Sequence, residues 1–85
     1  MNHVIVAIFD EAAGCYGRPV VVSTRGLAVR SFRDEVNRPA EDNQVYRHPE
    51  HFRLYCLAEF DDSSGAVSGF PVPELLGLAS SFKEG

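Results

Sequence analysis

Hydrophobic positions fall along the chain in runs whose period changes from one stretch to the next. The first run, Val4-Ile5-Val6-Ala7-Ile8-Phe9, is continuous, short and rich in β-branched side chains. That pattern predicts a central strand with both faces covered, one by a helix and the other by a second layer, a tail or a partner subunit. Asp10 to Gly17 carries two glycines and no period, which predicts a loop or irregular hairpin. After Arg18-Pro19 the chain reopens, and Val20-Val21-Val22 predicts a short edge strand. Ala28, Val29, Phe32 and Val36 then recur at offsets of three and four, one stripe of a helix. Ser23 or Thr24 can cap it, and Pro39 stops it near Asn37. Arg30 and Asp34, four apart, are within pairing reach on that helix. Ala40 to Gln44 is polar and reads as loop.

His48-Pro49-Glu50-His51 predicts a single helical turn begun by the proline. From Phe52 to Phe60 the even positions Phe52, Leu54, Cys56, Ala58 and Phe60 are apolar, the period of two expected of a strand. Asp61 to Gly65 has turn composition, and Ala66 to Phe70 pairs back as a short last strand. Pro71 and Pro73 are expected to end the sheet, with Glu74 to Phe82 forming a final helix that carries Leu75, Leu78, Ala79 and Phe82 on one stripe. Gly77 weakens that helix. The sum is an α+β fold: a small antiparallel or mixed sheet of three to four strands backed by one main helix, with a C-terminal hydrophobic tail or short helix. Residues 1–70 form the single domain and residues 71–85 the tail.

Composition narrows the class. Eighty-five residues hold one core, and 45% hydrophobic with 24% charged residues is the mix of a folded chain. Two cysteines, Cys15 and Cys56, allow at most one disulfide and form no zinc spacing. Met1-Asn2-His3 lacks the positive start of a signal peptide, and no apolar run approaches a membrane span, so a soluble intracellular protein with reduced thiols is expected.

The net charge of −4 argues against a phosphate-binding surface until it is divided by position. All seven arginines lie between residues 18 and 53 against five acids, a surplus of +2, while one lysine opposes seven acids elsewhere, a deficit of −6. Arg18, Arg25, Arg30, Arg33 and Arg38 face only Asp34 and Glu35 within residues 18–38. Guanidinium forks suit phosphate, and Tyr16, Tyr46 and Tyr55 offer rings on which bases can stack, so a single-strand binding patch is one reading. The other is a solvated helix face with its arginines paired to acids and its tyrosines at core edges. Leu75, Leu78 and Phe82 in the tail exceed what a thin sheet and one helix can hide, and are candidates for contact with a second copy or another protein. His48 and His51 supply only two local ligands, short of a closed zinc site, and Asp61, Asp62 and Ser64 lack calcium-loop spacing. No nucleophile elbow or phosphate loop occurs, so neither catalysis nor a cofactor is expected.

Several segments carry a resemblance. Ile8-Phe9-Asp10, Gly26-Leu27-Ala28-Val29-Arg30-Ser31-Phe32, Val36-Asn37, His48-Pro49-Glu50, Leu54-Tyr55 and Glu59-Phe60-Asp61-Asp62 with Gly65 stand in an order that resembles a particular phage family. It is the small nonstructural protein from the fifth reading frame of gokushoviruses, tailless phages of the Microviridae with single-stranded DNA genomes. The likeness covers residues 4–70. It departs in the tail from Pro71 to Phe82, and at Arg18-Pro19-Val20-Val21-Val22, where an aromatic is expected near the proline.

The resemblance implies a nonstructural role in the replication or packaging of single-stranded progeny genomes in the host bacterial cytoplasm. Combined with the charge pattern, the expectation is weak DNA binding, single-stranded before double-stranded, through the arginine-bearing helix of a homodimer or higher oligomer. The expectation from another class is a non-enzymatic interaction module that docks on a phage or host replication or capsid protein through its sheet edge and hydrophobic tail. Neither involves a membrane.

Overall fold

The structure, a computed structural model, describes residues 1–84. In chain order the elements are β1 (Asn2–Asp10), β2 (Cys15–Tyr16), β3 (Val20–Val22), α1 (Arg25–Val36), α2 (Gln44–Arg47), a 3₁₀ turn at Pro49–His51, β4 (Phe52–Asp61), β5 (Val67–Leu78) and α3 (Ala79–Phe82). The result is an α+β fold whose five-stranded sheet is antiparallel throughout. β1 is central as expected. β4 pairs along one of its edges from Asn2 to Asp10, and the other edge is shared by β3 opposite Val4–Val6 and β2 opposite Phe9–Asp10. The turn into β2 is built by Asp10, whose Oδ1 accepts the N–H groups of Ala12 and Ala13, with Gly14 supplying a φ of 72°.

Helix α1 has the expected bounds for the expected reasons. Thr24 Oγ1 accepts the Leu27 N–H at 3.1 Å, a cap of about 1 kcal/mol. Ala28, Phe32 and Val36 point into the core, where they meet Val4 and Val6 of β1, Leu54 and Cys56 of β4, and Ala79 of α3. The ion pair on this helix is Glu35 with Arg38, not Arg30 with Asp34. The polar stretch read as loop ends in α2, because Asn43 acts at both ends of a connection. Its Oδ1 accepts the Tyr46 N–H, and its Nδ2 donates to the Glu35 and Arg38 carbonyls that end α1.

The tail corrects the sequence expectation. The last strand does not stop at Phe70; β5 runs for 12 residues through both prolines, and only Ala79–Phe82 is helical. The ladder shows how. Ala58 pairs with Gly69 and Cys56 with Glu74, so four residues of β5, Phe70 to Pro73, stand opposite Leu57 alone. Pro71 and Pro73 sit in that bulge on an edge strand, where their missing N–H groups interrupt no ladder bond. The proposed helical stripe is divided by the strand and by a second register shift, which leaves Leu76 extra between Leu75 opposite Tyr55 and Gly77 opposite Leu54. Leu75 and Leu78 lie on the sheet face away from α1, whereas Leu76, Ala79 and Phe82 pack into the core.

Candidate functional site

The five arginines of residues 18–38 do not converge. Arg25 makes a two-pronged contact with Glu74, Nε to Oε2 at 2.9 Å and Nη2 to Oε1 at 3.1 Å, and that bond raises its pKa. Arg38 does the same with Glu35 at 2.8 and 2.9 Å; the bond from Arg38 holds the Glu35 carboxyl below its ordinary range. Two of the five charges are thus answered by acids. Arg18 lies across α1 from Arg33, beside Glu35 and Ser31 in a cleft of about 200 Å³ between α1 and β3. Arg30 and Arg33, one turn apart, are exposed on the remaining flank.

That flank continues into residues far away in sequence. The Arg33 guanidinium carbon stands 5.0 Å from the centroid of the Phe82 ring. The next residue, Lys83, places Nζ 3.3 Å from the centroid of Tyr46 and donates to the Tyr46 carbonyl at 3.1 Å. Arg47 follows in α2, exposed, its Nη1 donating to the Glu41 carbonyl. Asn37 fastens the strip. Its Nδ2 donates to the carbonyls of Arg33 and Phe82, and its Oδ1 accepts the Glu84 N–H at 2.7 Å. The sequence Arg30, Arg33, Phe82, Lys83, Tyr46, Arg47 therefore alternates cations with rings. None of its four cations lies within ion-pair distance of an acid among the described residues. Such a row suits the phosphates of a strand that runs along it, with the rings holding two of the cations in place.

Of the residues singled out from sequence, Arg30, Arg33 and Tyr46 meet here, and Phe82 joins them from the tail. Arg18, Arg25, Arg38 and Tyr16 lie elsewhere. Lys83 and Arg47 escaped the sequence reading. The available signal was that the chain's one lysine directly follows an aromatic that closes an apolar stripe.

Tyr16 belongs to the opposite face of the sheet. Its ring packs edge-on to Phe9 at 4.9 Å and to Tyr55 at 5.7 Å between centroids. Arg53 stands at the same end, its Nη2 3.1 Å from Glu11. No other element among the described residues covers this face. His48 and His51 both approach Glu50 Oε1, at 3.8 and 3.6 Å, on the helix side of the chain's 3₁₀ turn. No group of three or more His, Cys, Asp or Glu among the described residues is arranged to hold a metal ion. No helix among them is long and apolar enough to cross a membrane.

A family model described as phage ORF5 protein matches residues 3–82. No curated protein and no solved structure matches the chain.

Proposed function

The chain belongs to the phage ORF5 protein family, and on that premise we propose that it binds single-stranded DNA, weakly and without catalysis, along the strip from Arg30 to Arg47. The reading places it in the host bacterial cytoplasm, in the replication or packaging of a single-stranded DNA phage genome, the setting implied by the resemblance to gokushovirus nonstructural proteins. One observation carries it: four cations free of ion pairs among the described residues are interleaved with the Phe82 and Tyr46 rings. Against a net charge of −4, a strip of this size reaches few phosphates. Four contacts correspond to a log–log salt slope of about −3 for a single strand.

Fluorescence anisotropy with a labelled oligonucleotide at two salt concentrations tests the proposal. Affinity should fall roughly 300-fold between about 20 and 150 mM salt. Arg30→Ala with Arg33→Ala should roughly halve the slope, since two of four contacts go and alanine suits a helix surface. Arg25→Ala with Arg38→Ala should leave the slope unchanged, because both cations already serve acids. Absence of binding at the lower salt, or equal losses from the two pairs, overturns it.

The competing reading, docking on a phage or host replication or capsid protein, draws support from Leu75 and Leu78, which stand exposed on β5. Pro71 and Pro73 deprive that edge of the donors an added strand needs, so docking would rest on the open sheet face. Co-sedimentation with a replication protein by a chain that ignores oligonucleotides would select this reading.

A further inference from the structure

The sheet face turned away from α1 is apolar and uneven, and we infer that it is covered by the same face of a second copy. The registers arrange its side chains in four rows. Tyr16, Phe9, Arg53 and Leu78 form the first, and Ala7, Tyr55 and Leu75 the second. Val21, Ile5, Ala58 and Gly69 form the third, and His3, Phe60 and Val67 the fourth. Ring contacts confirm the arrangement at both ends, among Phe9, Tyr16 and Tyr55 and between His3 and Phe60 at 6.2 Å.

The first two rows stand high, with three rings and two leucines; Leu75 is 51% exposed. The third row is low at its β5 end, a hollow where Gly69 is exposed and a Cβ on it would meet no atom within 4 Å. A two-fold axis lying in the interface, parallel to the sheet and perpendicular to the strands between the second and third rows, sets Leu75 of each copy over the Gly69 hollow of the other. This self-complementarity is what an isologous pair requires and what an unrelated partner has no reason to match. Charge agrees. The Arg53–Glu11 pair marks one end of the face, and Asp62 with the Met1 ammonium the other, so the rotation brings Arg53 toward Asp62 and Glu11 toward the ammonium, opposite signs in each case.

Area agrees as well. With about 3.4 Å per residue along β1 and about 4.8 Å between strands, the face measures roughly 30 by 19 Å, close to 600 Å² per copy. The pair buries about 1,200 Å², the lower edge of a stable interface, and about 600 Å² per copy is at the top of the range of apolar patches a monomer exposes. The two sheets form a sandwich about 10 Å apart, its second layer supplied in trans. The continuous apolar run of β1 then has its second cover: Ile5 and Phe9 meet the partner while Val4, Val6 and Ile8 meet α1.

Sedimentation equilibrium tests the inference. An interface of this size is expected to give a dimer with a dissociation constant of about 10 µM or tighter. Leu75→Glu puts a charge on the raised half. Gly69→Lys fills the hollow with a side chain that clashes with nothing in its own chain. Each should weaken the dimer about 30-fold or more while leaving the circular dichroism of the fold intact. Should Leu75→Glu misfold, Gly69→Lys alone decides. A wild-type chain that stays monomeric to about 100 µM overturns the inference, and so does a folded Gly69→Lys variant that remains dimeric. The outcome is independent of oligonucleotide binding, which uses the other side of the sheet.

Discussion

The Phe82 ring occupies the space a side chain at position 77 would need: a Cβ on Gly77 would stand 2.5 Å from Cε2 and 2.7 Å from Cζ of that ring. Gly77 pairs with Leu54 on the core side of β5, and Phe82 returns over it from α3 to meet Phe32 edge-on at 6.0 Å. The glycine is thus what lets the last turn fold back onto the sheet. Gly77→Ala must displace the ring, and should cost about 1–3 kcal/mol in urea denaturation. Phe82→Leu added to it should recover part of that loss, because the smaller side chain frees the contested space. Simple additivity in the double-mutant cycle would show that the two positions do not compete.

The same return makes the C-terminal segment part of the core. Ala79 is completely buried, and Leu76 and Phe82 pack against the residues of α1 and β4. Ending the chain after Phe70 removes these side chains and bares the outer edge of β4 from Arg53 to Cys56. The loss is on the order of 5 kcal/mol, comparable with the whole stability of a domain this small. The truncated chain should show no cooperative thermal transition by circular dichroism. A sharp melt near that of the full chain would instead make residues 71–84 an appendage.

What was legible in the sequence was what local chemistry decides. The stripe of Ala28, Phe32 and Val36 and the Thr24 cap are interactions within a few residues, and they fixed α1 to within a residue at each end. The apolar even positions from Phe52 to Phe60 likewise revealed β4, although a register shift at Leu57 turns Ala58 and Phe60 to the face opposite Leu54 and Cys56. The path of β5 was hidden because the bulge that accommodates Pro71 and Pro73 is set by pairing across to β4, not by their own neighbours. Read alone, Leu75, Leu78, Ala79 and Phe82 fit a helical period, although the chain is a bulged strand to Leu78 and helical only from Ala79 to Phe82. The cation strip was half legible for the same reason. Arg30 and Arg33 share a helix flank by spacing, but Lys83 reaches Tyr46 across 37 positions and Arg25 is answered by Glu74 across 49.

The two thiols should differ sharply in reactivity. Cys15 is exposed in β2, whereas Cys56 is completely buried and burial pushes its thiol pKa up, so less of it is present as thiolate. In native buffer a disulfide reagent such as DTNB should titrate one thiol promptly and the second only as the protein opens, with denaturant restoring both. Cys15→Ser should abolish the fast phase. Prompt reaction of two thiols in the native chain would mean that the helix and sheet do not close over Cys56.

The chain's start is tied to the β4–β5 turn by Asp62, and that tie carries a pH signature. Asp62 Oδ2 lies 2.8 Å from His3 Nε2, and its Oδ1 accepts from the Met1 ammonium at 3.0 Å. The bond to His3 is the larger cause, and the bond to the amino terminus the second, of a carboxyl held below its ordinary range. A carboxyl whose pKa is lower folded than unfolded binds its proton less readily in the native state. Its contribution is therefore fully present above the unfolded value, about 3.9, and is lost as pH falls through the lower native value. Asp62→Asn removes the charge at every pH. The stability gap between wild type and variant should thus be open at about pH 5 and close progressively below about pH 4, as wild-type Asp62 takes up its proton. Urea midpoints measured across that range read the gap directly. A gap that stays constant down to about pH 2 would assign the variant's loss to altered hydrogen bonding and not to the carboxylate charge.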